Sequence, residues 1–536
     1  MERRSTKEAL TFLLASAILD QMRALLSLLL GLTRPALGAR LRRLPLRPFP
    51  LLVLLLIGLA LAWGYGQRLA LPGSRAAARA LAALASPEVS QIRLYNTGAG
   101  SASLLVDYYD QSGNLVFGGQ PVTLAGQGGL TVNLKDNPQL PSGFRGSAAV
   151  SSSQPLASLL IKDSVGPPPA HAVANGVSQG FPRLYLPLVM RSYGNPLQSS
   201  RFTIQSLGDK TGCLGITYWD PEGRLVFQES PGASADCPQG GIVLGPQGSL
   251  SRDQVQEQNL GSAFLGGALV EALPGADGTQ APLAAVVELS AQGRAAAYTA
   301  LGYSLDPTAP IDDVGPTILL PLLYRRFGGW SSLAQLQRVD TASADPVTVT
   351  ITYYPYGSSK PLLTKEVPLL RLLTLDLLGE QGLPEGFVGS AIVRSPSPLA
   401  AVVNLRSTEA GGYAYTAYGG LPTDKASLTP AVPLVYRNHG GTGGRSSSLS
   451  FQVADGGEAQ VTIAFRADGA GNTIFAGPIP IRGSLTLSLR STLFPLPDNF
   501  VGAARVTASA PIVVLAHDWA TSTGGDTTGT YGALAP

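Results

Sequence analysis

A short word returns four times along this chain: Pro-Ser-Gly-Phe144-Arg-Gly-Ser-Ala, Phe264-Leu-Gly-Gly-Ala, Pro-Glu-Gly-Phe387-Val-Gly-Ser-Ala and Asp-Asn-Phe500-Val-Gly-Ala-Ala. The phenylalanines stand 120, 123 and 113 residues apart. A near-constant interval the size of one small domain means tandem copies of one fold. The 536 residues leave room for that, at ~100–200 residues per domain.

Each copy reads as strands and turns. In the third, Val347, Val349, Ile351 and Tyr353 share one face and the intervening threonines share the other. Such alternation is a half-buried strand, and β-branched and aromatic residues favour it. The pattern recurs at Ala102, Leu104, Val106 and Tyr108, at Leu214, Ile216 and Tyr218, and at Val461, Ile463 and Phe465. A turn word follows each time, at Gly113, Gly223, Gly357 and Gly469, and another strand starts at once, as in a hairpin. The phenylalanine of the repeated word is expected to plug the core. After it come two apolar runs around a proline, for example Pro398 or Pro511. Only 14% of residues are charged, while Gly (63) and Pro (42) are abundant, which suits short strands joined by many turns. The expectation is an all-β chain of four tandem antiparallel β-sandwiches. No copy has a long helical pattern, which argues against a Rossmann or barrel enzyme scaffold.

Ahead of the repeats, 20 uncharged residues lie between Arg47 and Arg68. About 20 residues suffice to cross a ~30 Å hydrocarbon core as a helix, and Trp63 and Tyr65 would sit at its far interface. Residues 1–48 carry nine Lys/Arg against three acids, which holds that end in the cytoplasm. The other 488 residues sum to −3, which speaks against nucleic-acid binding by the repeats. The expected order is a basic cytoplasmic region with an amphipathic helix (1–47), a transmembrane anchor (48–67), a helical stalk (68–87) and sandwiches at 88–178, 179–305, 316–420 and 428–536. Cleavage near Leu-Ala-Ala-Leu-Ala-Ser86 is the alternative and gives a secreted protein. Either way the repeats are exported.

Candidate chemistry is sparse. The two cysteines, Cys213 and Cys237, both lie in the second copy, which in an exported domain suggests a disulfide. His171, His439 and His517 occupy unrelated places. His517-Asp518 has the look of part of a catalytic triad, but its matching positions read as Lys162-Asp163, Glu288 and Asn404, so a variable strand end is preferred. Asp107, Asp110 and Asp468 read as turn residues, because carboxylates are too few to fill a calcium shell. No catalytic, metal or cofactor residue is assigned. Tyr109, Trp219 and Tyr354, on equivalent strands, are candidates for stacking on sugars or for covering the sheet.

Together the Asn96-Thr-Gly98 word, the Tyr-Tyr-Asp turn at Asp110 and the Gly-Phe word resemble tandem immunoglobulin-like or fibronectin-type modules of bacterial surface proteins, as an uncharacterised envelope repeat. The resemblance covers residues ~88–532 and implies export with a binding or spacer role. The expected function is a membrane-anchored, non-catalytic structural or adhesive surface protein. Its partners would be the bilayer, through the anchor, and envelope polymers or other surface proteins. The alternative is an array of carbohydrate-binding modules using the three aromatics. Modules joined by short Pro/Gly linkers should melt independently, so Phe387→Ala is expected to unfold the third copy while leaving the first and fourth largely intact.

Overall fold

The computed structural model describes residues 88–119, 121–164, 169–291, 293–304, 312–339, 345–407, 414–469, 472–520 and 527–534. The expected cytoplasmic region, anchor and stalk lie outside these residues. Among the described residues no helix is long and apolar enough to cross a membrane. The described chain is all-β, with antiparallel sheets and a few single-turn 3₁₀ segments.

Each sequence copy builds two facing layers. In the second copy one sheet orders Ser249–Asp253, Gln198–Ser206, Leu283–Ala291 and Arg294–Thr299. The other orders Leu225–Glu229, Gly212–Trp219, Phe264–Leu273, Arg183–Arg191 and Leu301–Tyr303. The fourth copy repeats this plan. The third departs from it in one strand. Phe387–Ser407 runs unbroken through Pro396 and Pro398, so one strand belongs to both layers where the other copies have two.

The alternating faces fall as the sequence pattern requires. Leu214, Ile216, Tyr218, Val349, Ile351, Tyr353, Val461, Ile463 and Phe465 are buried, as are Ala102, Leu104 and Tyr108. Phe144, Phe387 and Phe500 each meet the aromatic of that strand edge-on, at 6.4 Å and 85–88°. This geometry places the ring edge against the neighbour's negative face. The turn glycines Gly113, Gly223, Gly357 and Gly469 all take positive φ, from 69° to 87°. That backbone costs glycine nothing and other residues a clash.

The opening strands of the later copies, Arg183–Arg191, Gly315–Arg325 and Ala431–Arg437, pair with the strand that begins at the repeated phenylalanine. Among the described residues the first copy has no such strand, and Gly146–Ser152 pairs only with Ala102–Asp110. Its core is correspondingly open. Val150 and Leu160 are half-buried, whereas Val270 and Val287, which occupy the matching places, are 0% exposed.

The copies are not spaced apart. The last long strand of each is followed by a short one: Ala170–Asn175, Arg294–Thr299, Tyr415–Gly419 and Gly529–Gly532. We call these the inner strands. Each packs against two others in the order first, second, third, fourth and back to first. The same head-to-tail contact repeated four times has closed into a ring, the outcome expected when the rotation per step completes a turn. Cores run across the joints. Leu333, Val339, Val402 and Tyr415 of the third copy belong to the core of the second, while Leu159, Ile161 and Val173 of the first belong to that of the fourth.

Candidate functional site: the axis and its closing seam

Register fixes which residues are equivalent around the ring. Leu160, Val287, Val403 and Ala516 face Ala174, Tyr298, Tyr418 and Tyr531 on the inner strands. The three tyrosines do one structural job. Their hydroxyls donate to the carbonyls of Leu188, Leu322 and Leu434 on the opening strands, tying inner strand to outer layer. The first copy, with no opening strand described, has Ala174 there.

Val173, Ala297, Ala417 and Thr530 are therefore equivalent, as are Asn175, Thr299, Gly419 and Gly532. Small residues let four strands approach one axis. At one end the axis opens into a cavity of about 160 Å³ lined from all four copies. Its wall includes Val177, Leu301, Leu421 and Leu534, with the Lys425–Asp313 ion pair (3.0 Å) among its polar groups. The Asn175 side chain crosses beside it. It donates to the Gly532 carbonyl (3.0 Å) and accepts from the Gly532 amide (3.2 Å), while the Thr299 hydroxyl donates to the Asn175 carbonyl (2.6 Å).

Three joints are bridged by the chain itself and are made largely of neutral contacts. Between second and third, Tyr185 donates to the Val339 carbonyl (2.8 Å) and Tyr415 to Gln198 (2.9 Å). Between third and fourth, Gln452 donates to the Ala391 carbonyl (3.0 Å). Between first and second, Ala172 and Ala174 pack on Ala297, with a Lys162–Glu288 pair beside them.

The seam between fourth and first has no chain crossing it, and beside the apolar contacts of Leu159, Ile161 and Val173 it holds buried charge. Arg93, 0% exposed, donates to both carboxylate oxygens of Asp468 (2.5 and 2.7 Å) and to the Pro433 carbonyl (2.9 Å). Arg466 donates to the Gly126 carbonyl (2.7 Å). Deeper in, the His171 ring lies between Asp163 (2.7 Å from Nδ1) and Asp518 (3.4 Å from Nε2), and Arg445 reaches Asp518 at 3.0 Å. Burial works strongly against a charged His171 and Arg445 adds to that, but Asp518 and Asp163 more than offset both, and its pKa is raised. Asp518 is opposed by burial yet held at about 2 by His171 and Arg445. His517, beside it, is pushed down to about 4 by burial and donates or accepts with the Thr530 hydroxyl at 2.8 Å.

The residues singled out in the sequence fall as follows. Cys213 and Cys237 form a disulfide. Tyr109, Trp219 and Tyr354 do not make an exposed stacking platform. Tyr354 is 7% exposed, packed with Leu319, Ile392 and Val513 of the fourth copy. Trp219 lines a small crevice with Gln337, Arg338, Arg371 and Leu372 of the third copy, and Tyr109 is half-buried. Their equivalent, Arg466, makes the bond to the first copy noted above. His517 and Asp518 lie near the end of the strand Ile512–Trp519, at positions that differ from copy to copy, and both belong to the seam and axis. The register matches His517 with Glu288, Asn404 and Ile161, not with Lys162. Asp110 caps its turn, accepting from the amides of Ser112 and Asn114 (2.9 Å each). Asp107 is a strand residue, and Asp468 serves the seam. Among the described residues no group of His, Cys, Asp and Glu has the spacing of a metal site.

No family model matches this chain, and no curated protein matches it. Solved structures that match include that of infectious bursal disease virus Gx strain, at 10% identity and a TM-score of 0.08, covering 84% of this chain and 81% of that one. Another is the VP2 subviral particle of infectious bursal disease virus, at 11% identity and a TM-score of 0.09 over the same shares. Likeness at these scores carries no argument about fold or function.

Proposed function

We propose that this chain is a non-catalytic envelope protein in which four immunoglobulin-like β-sandwiches are joined into one closed scaffold, exported and held at the membrane by the apolar segment at 48–67. The observation that carries the reading is the return of the fourth copy onto the first. Chain length that in a stalk would give reach is spent here on rigidity. The partner surface on this reading is what only the assembled ring possesses: the axial cavity and the loops around it. The Cys213–Cys237 disulfide supports an oxidising compartment. Trp219 and Tyr354 lie against neighbouring copies, so this reading rests on the axis and not on a row of sugar-stacking aromatics.

The test is topological. Intact cells are treated with a membrane-impermeant amine reagent, and modification of Lys210 and Lys360, both exposed, is read by mass spectrometry. Labelling before lysis is expected. Labelling that appears only after lysis would overturn export and, with it, the surface role.

A further inference from the structure

The fourth-to-first seam is the one joint the chain does not cross, and its interior is a four-charge cluster: Asp163 and His171 from the first copy, Asp518 and Arg445 from the fourth. His171 is 3% exposed and Asp518 1%. Space for the imidazole is made by Gly529. A Cβ there would stand 2.9 Å from His171 Nε2 and 2.6 Å from Asp518 Oδ1. The equivalent inner-strand residues are Ala172, Ala296 and Thr416, so the fourth copy has the one side chain small enough where the histidine enters.

We propose that His171 is a proton-operated clasp: protonated, it bridges Asp163 and Asp518 and holds the ring shut, and on losing its proton it loosens the fourth-to-first seam.

The charge count carries the argument. With His171 as imidazolium the cluster is neutral, two carboxylates against two cations. With His171 neutral, a carboxylate pair faces Arg445 alone, and a net negative charge is left on buried Asp518 and on Asp163, 30% exposed, across a joint that can part. The other titratable neighbours do not compensate. His517 is kept neutral by burial at any pH above about 4, and Tyr436 and Tyr531 are held un-ionised by burial. Gln91 contributes a neutral bond to Asp163 (3.4 Å). A neutral His171 keeps its Nδ1 bond to Asp163 (2.7 Å), but its Nε2 and Asp518 Oδ1 have no hydrogen-bond partner, so no neutral contact replaces the ion pair to Asp518.

The direction follows from linkage. The closed seam raises the pKa of His171, so its contribution is full below the ~6.5 of an unperturbed imidazole and is lost as pH rises through the raised value. The closed-to-open ratio falls about tenfold for each unit of that rise. The clasp does not rest on the membrane or on a partner, so failure of the surface reading would leave it standing.

The experiment measures distance across the seam in the full chain. Spin labels go on Ser153→Cys and Thr473→Cys, with Cys213–Cys237 left oxidised, and dipolar spectra are taken at about pH 5.5 and about pH 9, either side of the imidazole range. A narrow distribution at the lower pH and a longer, broader one at the higher is expected. Glu222→Cys with Glu366→Cys, placed on the second and third copies, should give one distribution at both. His171→Gln should remove the pH response, and Asp163→Asn should move its midpoint down. Identical wild-type distributions at the two pH values would overturn the clasp. So would an unchanged response in His171→Gln.

Discussion

At the residue scale, the seam turns on groups whose partners lie far away in sequence. Arg93 reaches Asp468 and the Pro433 carbonyl, 375 and 340 residues on. Because the guanidinium is fully buried, removing its carboxylate strands a charge. Asp468→Asn is expected to cost about 3 kcal/mol, the low end for a broken buried pair, since Asp468 is itself partly exposed. Urea unfolding checks this, and a loss below about 1 kcal/mol would mean that the Pro433 carbonyl and the Thr131 hydroxyl, which accepts from Arg93 at 3.1 Å, satisfy Arg93 unaided. The cysteine bridge is a more local device. It closes a separation of 24 residues and contributes about 3 kcal/mol in the chain-entropy account.

At the scale of the element, the tyrosine of the inner strand is the joint between layers. Tyr418→Phe removes a hydroxyl that donates to the Leu322 carbonyl at 2.6 Å and leaves a buried carbonyl unpaired, costing about 1–2 kcal/mol. Tyr298→Phe should behave alike, and denaturant midpoints decide. A negligible loss in both would mean the strand is held by packing alone. Strand faces, hairpin turns and the plugging phenylalanines were legible in the sequence because each depends on neighbours within a hairpin or on a period of two. The inner strands were legible only as fragments. Tyr298-Thr-Ala and Tyr415-Thr-Ala look equivalent, but register matches Tyr298 with Tyr418. The axis was not legible at all. Its layers mix His171, Ala295 and Tyr415 at matching places, so no motif repeats, and small residues mark close approach without naming what approaches. The aromatics at 219 and 354 fit a sugar-stacking face or a cover for the sheet equally, because a residue that points out of its own sandwich has the same pattern whether it meets solvent or the next copy.

For the whole molecule, cores that run through the joints replace independent melting with shared melting. Phe387→Ala should cost about 3–5 kcal/mol, as for other buried phenylalanines. Its loss should lower one cooperative calorimetric transition of the entire ring. Two or more separated transitions, with the fourth copy unmoved, would restore the expectation of autonomous units. Closure also bears on how the molecule is made. During synthesis the first copy's Leu159 and Ile161 have nothing to bury them until the fourth is complete. At ~5–20 residues per second, the 375 residues from Arg93 to its partner Asp468 take roughly 20–75 s to appear, and the rest of the fourth copy follows. Throughout that interval a nascent chain exposes a sticky flank whose proper mate does not yet exist, and a chaperone that shields this flank would govern the yield of finished rings.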